Sequence, residues 1–467
     1  MNITRRSFMG GMLAAGAAHG IAGCASRAVT AGSGVQKVRL ACIGIGGQAW
    51  NDIVEFMRFD DCVIAALCDT DLGAKHTLNA LKAYPNVPTF RDFRKMFDAM
   101  EGKIDAVLVA IPDFAHFCAT MEAIRRGIPV YVEKPLAHTF YECELLMEAE
   151  KKYNAICQLG NQGHSGANPY QMEEYVNKGI IDVSKLTRLV AHMNNPRRWH
   201  KWNGNVTKFP DPEKIPATLD WDLWLSQALP HNFSKDFVYG EWRSWFDFGM
   251  GCLGDWGAHT MDTMHRFFDL GLPSEVKIAD VTGWNPYVYP MQDTLTFTFE
   301  AKGKRPKVNL EWYEGVTNQP RLPKGYTYLA WGGEIPAAKG STAKEASKLI
   351  PGRFFELSDG SVWEGASHSS PMIKIGVDKR DLPAYKKPGS NHWKNFLMAV
   401  KGEEKVNSPF SRGAPLSQVF CLGVIAQRLN RNIKFDPVTK RVVGDDIADA
   451  LLRGPAPRKG WEEYYKI

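Results

Sequence analysis

Asp255 and His259 stand four positions apart in Gly249-Met250-Gly251-Cys252-Leu253-Gly254-Asp255-Trp256-Gly257-Ala258-His259-Thr260-Met261-Asp262. On a helix that spacing puts both side chains on one face. A carboxylate so placed can orient an imidazole and stabilise its protonated form, which makes the histidine a general base for a hydroxyl group. The same spacing also occurs in plain helix-stabilising contacts worth about 0.2–0.5 kcal/mol, so the pair needs a second centre before it implies chemistry. A metal site from Cys252, His259, Asp262 and His265 is not expected, because His265 falls off the face shared by His259 and Asp262.

The second centre lies near the beginning. An apolar run from Val38 ends in Gly44-Ile45-Gly46-Gly47-Gln48-Ala49, the form G-x-G-x-x-(G/A). Gly44 allows a tight strand-to-helix turn, Gly46 allows close approach to a pyrophosphate, and Ala49 is small enough for helix–strand packing. The helix that follows would offer its unpaired N–H groups to the phosphates. A second apolar run, Val63 to Leu67, places Asp69 at a strand end, where a carboxylate binds a ribose 2′-hydroxyl. Strand, glycines, helix, strand and terminal acid together predict a dinucleotide site, with NAD favoured over NADP.

The elements that position these groups follow from periodicity. Ile104 to Ala110 and Pro129 to Val132 read as buried strands, the first ending in Ile111-Pro112-Asp113-Phe114-Ala115-His116, the second in Glu133-Lys134-Pro135. Strands alternating with helices predict a doubly wound (Rossmann) parallel sheet, whose ligands sit at the carboxyl ends of the strands. Gln158 to His164 returns the chain to that edge, which makes Asn161 and Gln162 candidate cofactor contacts and His164 a candidate substrate contact. After the strand Leu186 to Met193, Arg198, Trp199 and His200 offer aromatic planes beside cationic and hydrogen-bonding groups, a combination suited equally to carbohydrate and to a tryptophan-rich packing loop between domains. Asp220 to Leu225 reads as packing. Period-two runs at Val276–Val281, Asp293–Glu300 and Lys307–Trp312 predict antiparallel strands, hence an α+β second domain with a large, open, mostly antiparallel sheet. Gln319 to Ser390 is rich in Gly, Pro and Lys and carries no assignment beyond the mouth of the cleft. His392, at the start of a helix, is a further candidate substrate contact, and the helix Leu416 to Leu429 packs back.

Taken together, the fingerprint, the Ala110-Ile111-Pro112…His116 turn and Glu133-Lys134-Pro135 resemble the glucose–fructose oxidoreductase / inositol dehydrogenase (Gfo/Idh/MocA) family, over nearly all of the chain from about Val38 to Asp436. The resemblance implies that Lys134 lies beside a nicotinamide and the reacting carbinol, and that Lys134, Asp255 and His259 form the catalytic trio. The implied cofactor contacts are Gly44, Ile45, Gly46, Gly47, Gln48, Asp69, Ile111, Pro112, His116, Glu133 and Lys134. Asp255 and His259 would also touch substrate. A homo-oligomer, dimer or tetramer, joined through the outer face of the second sheet is implied as well.

The first residues read as an address. Thr4-Arg5-Arg6-Ser7-Phe8-Met9 is a twin-arginine signal, and Ile21-Ala22-Gly23-Cys24 has the form of a lipobox that would make Cys24 the lipidated N-terminus. The expected organisation is a signal over 1–23, a tether over 24–36, a dinucleotide domain over 37–160, a substrate domain over 161–436 and a tail over 437–467. An envelope location, anchored to a membrane after twin-arginine export, follows. Beyond the cytoplasm the protein would have to hold its cofactor tightly. Loss of residues 1–23 removes only Arg5 and Arg6 and lowers the formal charge from +6 to +4, with no nucleic-acid signature. Eight of the nine cysteines lie beyond Cys24, without CxxC spacing, and read as buried small hydrophobes.

The expected function is hydride transfer between a tightly held nicotinamide and a hydroxyl or keto group of a sugar, glycoside or polyol. A glycosidase working by transient oxidation, elimination and water addition ranks second, because the family members that work this way replace the lysine retained here as Lys134. A sugar-binding lipoprotein with a vestigial nucleotide site ranks third, opposed by the intact trio.

Overall fold

The computed structural model describes residues 37–194, 206–327 and 350–467. The expected signal and tether, Cys24, and Arg198, Trp199 and His200 lie outside the described residues.

The first sheet is built from short runs of apolar residues that are buried on both faces. Its strands are β1 (Val38–Ile43), β2 (Cys62–Cys68), β3 (Thr89–Phe90), β4 (Ala106–Val109), β5 (Val130–Glu133) and β6 (Cys157–Gly160). They are all parallel, in the order β3-β2-β1-β4-β5-β6, the arrangement of a dinucleotide-binding sheet. Between them run α1 (Gln48–Phe56), α2 (Leu78–Ala83), α3 (Phe93–Ala99), α4 (His116–Arg125) and α5 (Phe140–Tyr153). Thr139 and Glu142 form a reciprocal capping box at the start of α5, satisfying donors that the helix itself leaves open.

The second domain opens with α6 (Ala167–Asn177), β7 (Leu186–Met193), α7 (Trp221–Leu225), α8 (Gly251–Thr260) and α9 (Asp262–Phe267). Strands β8 (Glu275–Thr282), β9 (Gln292–Phe299), β10 (Val308–Glu314), β11 (Gly352–Leu357), β12 (Val362–Ala366) and β13 (Ile373–Lys374) follow. The chain ends with α10 (His392–Val400), α11 (Phe410–Leu429), β14 (Ile433–Asp436), β15 (Arg441–Val442) and α12 (Asp446–Leu451). The nine strands pair in the order β13-β12-β11-β7-β10-β9-β8-β14-β15. Only β7 and β10 run parallel, so the sheet is mixed and mostly antiparallel. The segment that the sequence left unassigned supplies β11 to β13 at one edge. Helices α8 and α11 pack across the inner face. Their approach depends on small residues: a Cβ at Gly257 would lie 2.7 Å from the Phe420 ring, and one at Gly423 would lie 2.5 Å from Leu253.

The boundary between the domains differs from the linear expectation. α10 leaves the second domain and inserts Phe396, Leu397 and Val400 into the core beside Val38, Leu40, Ile53 and Tyr131 of the first. Residues 437–467, expected as a tail, fold. Trp461 and Tyr464 are buried in the opposite face of the first sheet, with Phe93 and Phe117. Apolar periodicity shows that a helix buries one face, but not which core receives it. The eight cysteines among the described residues are buried and make no disulfide. No helix among the described residues is long and apolar enough to cross a membrane.

Candidate active site

A cavity of about 920 Å³ opens at the carboxyl edge of the first sheet. Gly44, Gly46, Gly47, Gln48, Asp69, Ile111, Pro112, His116, Glu133 and Lys134 line it. The turn after β1 needs its glycines. Gly44 has φ +85°, and a Cβ there would stand 2.2 Å from the Ala110 carbonyl oxygen; a Cβ at Gly46 would stand 2.1 Å from the His76 ring. No side chain caps α1, so its N-terminal end stays open to a phosphate, although the Ala49 N–H already donates to the Gly46 carbonyl at 3.1 Å. Asp69 accepts from the N–H of Ile45 at 3.2 Å and from the N–H of Asp71 at 3.0 Å. Burial raises its pKa, opposed by those backbone bonds and by His76. Ile45 itself is fully buried and serves through its backbone.

These residues fit a dinucleotide: a cradle that any side chain would fill, an uncapped helix end, and an acid at the neighbouring strand tip.

The opposite wall comes from the second domain. Residues Leu219 to Arg243 cross the cavity and are tied to the first domain. Asp71 and Leu219 form an antiparallel bridge, the Asp220 N–H donates to the Thr70 carbonyl at 2.9 Å, and the Tyr239 hydroxyl donates to Asp71 Oδ2 at 3.2 Å. Trp221 and Trp224 stack with ring centres 4.6 Å apart, and Trp224 packs on Phe114. The packing reading of Asp220–Leu225 therefore holds, and Leu223 and Trp224 also reach the cavity.

Lys134 joins the two halves. Its ammonium donates to Asp255 Oδ1 at 2.9 Å and to the Asp255 carbonyl at 3.0 Å. Arg243 Nε stands 3.7 Å from the same carboxylate. Asp255 is thus the anionic partner of two cations, where spacing alone suggested an orienter for His259. His259 lies one turn along α8, buried, its ring parallel to that of His368 at 4.0 Å. Of the trio only Lys134 lines the cavity; Asp255 and His259 sit immediately behind it.

Around Lys134 the acids are held in unusual states. Glu133 accepts from Gln162 Nε2 at 2.7 Å and from the Lys134 N–H at 3.2 Å, while burial pushes its pKa up to about 7 against the pull of Lys134. Asp113 accepts from the Met250 N–H at 3.0 Å, at the start of α8. Burial raises its carboxyl to about 7, with Arg243 opposing and Asp255 adding to the shift. Both His116 ring nitrogens meet carbonyls, Pro135 and Ile111, each at 2.8 Å, and burial lowers its pKa to about 4. The neutral ring donates to one of the two and clamps the loops together.

Four predicted contacts stand elsewhere. Gln162 and Asn161 lie a layer behind the cavity wall, where Gln162 fixes Glu133 and the Tyr131 hydroxyl. His164 is buried and bonds Asp262 Oδ1 at 2.7 Å, joining the segment after β6 to α9. His392 is buried because α10 turns its apolar face to the first core. Its ring bonds the Leu159 carbonyl at 2.9 Å and Ser165 Oγ at 2.8 Å, and burial lowers its pKa to about 3. These corrections share one cause: polar residues at element ends satisfy buried backbone as readily as they meet ligands. Sequence reasoning missed Asp71, Asp113, Tyr239, Arg243 and His368. Asp71 and Asp113 stand in turns already singled out; the other three carry no spacing signal.

Comparison with known proteins places this geometry. The model of the "Oxidoreductase family, NAD-binding Rossmann fold" (GFO_IDH_MocA) matches residues 38–161, and that of the "Oxidoreductase family, C-terminal alpha/beta domain" matches 167–299 and 340–463. Glycosyl hydrolase family 109 protein 2 of Akkermansia muciniphila is 23% identical over 396 residues, 74% of this chain and 82% of its own length. Glycosyl hydrolase family 109 protein 1 of Shewanella sp. strain MR-4 is 24% identical over 154 residues, 32% of this chain and 33% of its own length, so the match spans about a third of that relative. Among solved structures, the WlbA dehydrogenase from Chromobacterium violaceum, in complex with NADH and UDP-GlcNAcA, aligns with TM-score 0.58 at 12% identity. That alignment covers 88% of this chain and 99% of the other. An aldose-aldose oxidoreductase from Caulobacter crescentus, complexed with glycerol, aligns with TM-score 0.53 at 16% identity over 85% and 100% of the two chains. At these identities the likeness to the solved structures is one of fold.

Proposed function

The chain belongs to the Gfo/Idh/MocA oxidoreductase family, and from that premise we propose that it is an NAD-dependent oxidoreductase acting on a hydroxyl or keto group of a sugar, glycoside or polyol. The observation that carries this reading is Lys134, which lines the dinucleotide cavity and binds Asp255 one helical turn before His259. Bound nicotinamide supplies a hydride acceptor or donor there. The chain supplies the rest. The Lys134 ammonium, held by Asp255, stabilises negative charge developing on the substrate oxygen. His259 takes the hydroxyl proton. The aromatic cluster around Trp224, Phe114 and Phe248 keeps one wall dry, which strengthens those charges.

The cofactor is tightly held on this reading. The segment from Leu219 to Arg243 lies across the cavity and is bonded to the first domain at Thr70 and Asp71. Lipid anchoring at Cys24, export by the twin-arginine route and assembly into a homo-oligomer belong to the same proposal; the sequence features at Arg5, Arg6 and Cys24 support the first two.

A second reading, a glycosidase acting by transient oxidation, elimination and water addition, is favoured by the names of the relatives that match. Purified protein without added cofactor separates them. Aryl-group release from p-nitrophenyl glycosides establishes the glycosidase; reduced nicotinamide accumulating with free sugars or polyols establishes the dehydrogenase. A preparation that neither carries nucleotide by mass spectrometry nor binds added NAD overturns both.

A further inference from the structure

The segment after β12 brings a second imidazole to the active site. His368 stacks on His259 with ring centres 4.0 Å apart and planes at 16°, and meets Trp256 edge-on at 5.7 Å. His259 is buried beneath it, whereas His368 covers one ring face on His259 and stays exposed on its other side. Ser367 Oγ lies 2.9 Å from His368 Nδ1. The hydroxyl can donate or accept there, so it accommodates either neutral tautomer and leaves Nε2 as the nitrogen able to meet a ligand.

The backbone at His368 is strained and firmly held. Its φ is +59°, in the left-handed region that a histidine rarely adopts. The His368 N–H donates to the His259 carbonyl at 2.7 Å, and the Asn168 N–H to the Ser369 carbonyl at 3.1 Å. The buried Arg353 guanidinium donates to the Ser370 carbonyl at 2.8 Å and to the Ala366 carbonyl at 2.5 Å. A Cβ at Gly166 would stand 1.9 Å from that of Ser369. Surroundings that over-determine a costly conformation at an active site point to a use for the side chain.

We propose that His368 is a further catalytic residue, a second imidazole that meets the substrate beside His259 and exchanges a proton with it through Nε2. The inference rests on the second reading above, the glycosidase that works by transient oxidation, elimination and water addition. Removing hydride from a carbinol requires one base, for the hydroxyl proton. Elimination and addition at a neighbouring carbon require a second group. That group takes the C–H proton, while the electron pair of the broken bond stays on the substrate, and it returns a proton to the leaving oxygen. Two imidazoles at 4.0 Å resist carrying charge together, so a proton taken up by one ring disfavours a proton on the other. The groups facing His368 act in the same direction on balance. Partial burial against His259, together with Lys134 and Arg353, lowers its pKa, and Asp255 opposes them.

The test uses the full chain with the cofactor it retains, in the variants His368→Gly and His368→Phe. Glycine suits the left-handed backbone, so His368→Gly is expected to fold. Turnover of p-nitrophenyl glycosides should fall by about 10²–10⁴-fold. Added imidazole should restore part of it in His368→Gly and none in His368→Phe. Ring resonances of His368 in nuclear magnetic resonance should titrate below those of an ordinary surface histidine, and should move up in Lys134→Met. Undiminished turnover in a folded His368→Gly protein overturns the assignment. So does a His368 ring that titrates normally and ignores Lys134→Met. If the unmutated protein releases no aryl group from these compounds, the glycosidase reading fails, and the titration still decides whether His368 belongs to the charged centre.

Discussion

The Lys134 ammonium binds Asp255 twice, through the side-chain oxygen at 2.9 Å and the main-chain oxygen at 3.0 Å. The first residue closes the dinucleotide half of the cavity, and the second belongs to the helix that carries His259. One ion pair, with both side chains 12% exposed, therefore ties the wall of the cavity to the helix that carries His259.

Lys134→Met should destabilise the fold, by less than the about 3–5 kcal/mol of a fully unpaired buried carboxylate because Arg243 stays 3.7 Å from Asp255, and should lower turnover as well. In Lys134→Met/Asp255→Leu the carboxylate is gone, so thermal stability should recover while turnover does not. Recovery of turnover in the double variant would assign the pair to packing.

His259→Ala should lower turnover by about 10²–10⁴-fold and leave nucleotide binding unchanged, because His259 does not line the cavity. Turnover per folded molecule and melting temperature on one preparation decide the matter. A lower melting temperature with undiminished turnover would make the histidine structural.

Asp69→Ala should weaken NAD binding by about tenfold or more, the worth of a hydrogen bond to a charged group, and should narrow the preference for NAD over NADP. The carboxylate already bonds the Ile45 and Asp71 N–H groups, so its loss also loosens the glycine turn. Tighter NADP than NAD in the unmutated protein contradicts the assignment. Titration calorimetry measures both.

Asp113 supplies a pH signature. Its folded pKa of about 7 exceeds that of an unfolded aspartate, so its contribution to stability is full below about pH 4 and is lost as pH rises through 7. Against Asp113→Asn, the unmutated protein should lose unfolding free energy steadily between those values. Parallel curves in denaturant titrations would show that the buried carboxyl is ionised throughout.

Cys24→Ala should move the protein from the membrane to the soluble envelope fraction, and Arg5→Lys with Arg6→Lys should retain it in the cytoplasm. Fractionation and immunoblotting read both. A Cys24→Ala protein that stays with membranes contradicts the lipid anchor.

What could be read in the sequence was local. Gly44, Gly46 and Asp69 sit within one strand–helix–strand unit, where turn chemistry and spacing fix their roles together. Lys134 was legible only through the motif around it. Arg243, Tyr239 and His368 reach the site from distant turns, and no period marks them. His392 illustrates the converse: a histidine at a helix start looks like a ligand until the core that receives the helix is known. The strands β11 to β13 were hidden by the Gly-, Pro- and Lys-rich composition of the segment that contains them.

The insertion of α10 and of Trp461 into the first sheet bears on how the molecule is made. When the ribosome has released the last strand of that sheet, one of its faces still lacks Phe396 and Leu397 and the other lacks Trp461 and Tyr464. Each missing aromatic leaves roughly 1.5–3 kcal/mol of burial unrealised, against a total stability of only about 5–15 kcal/mol for a domain. The dinucleotide domain therefore matures only after residues 396–464 have been released, rather than ahead of them. A nascent chain stalled before residue 392 should stay sensitive to protease throughout its first 160 residues.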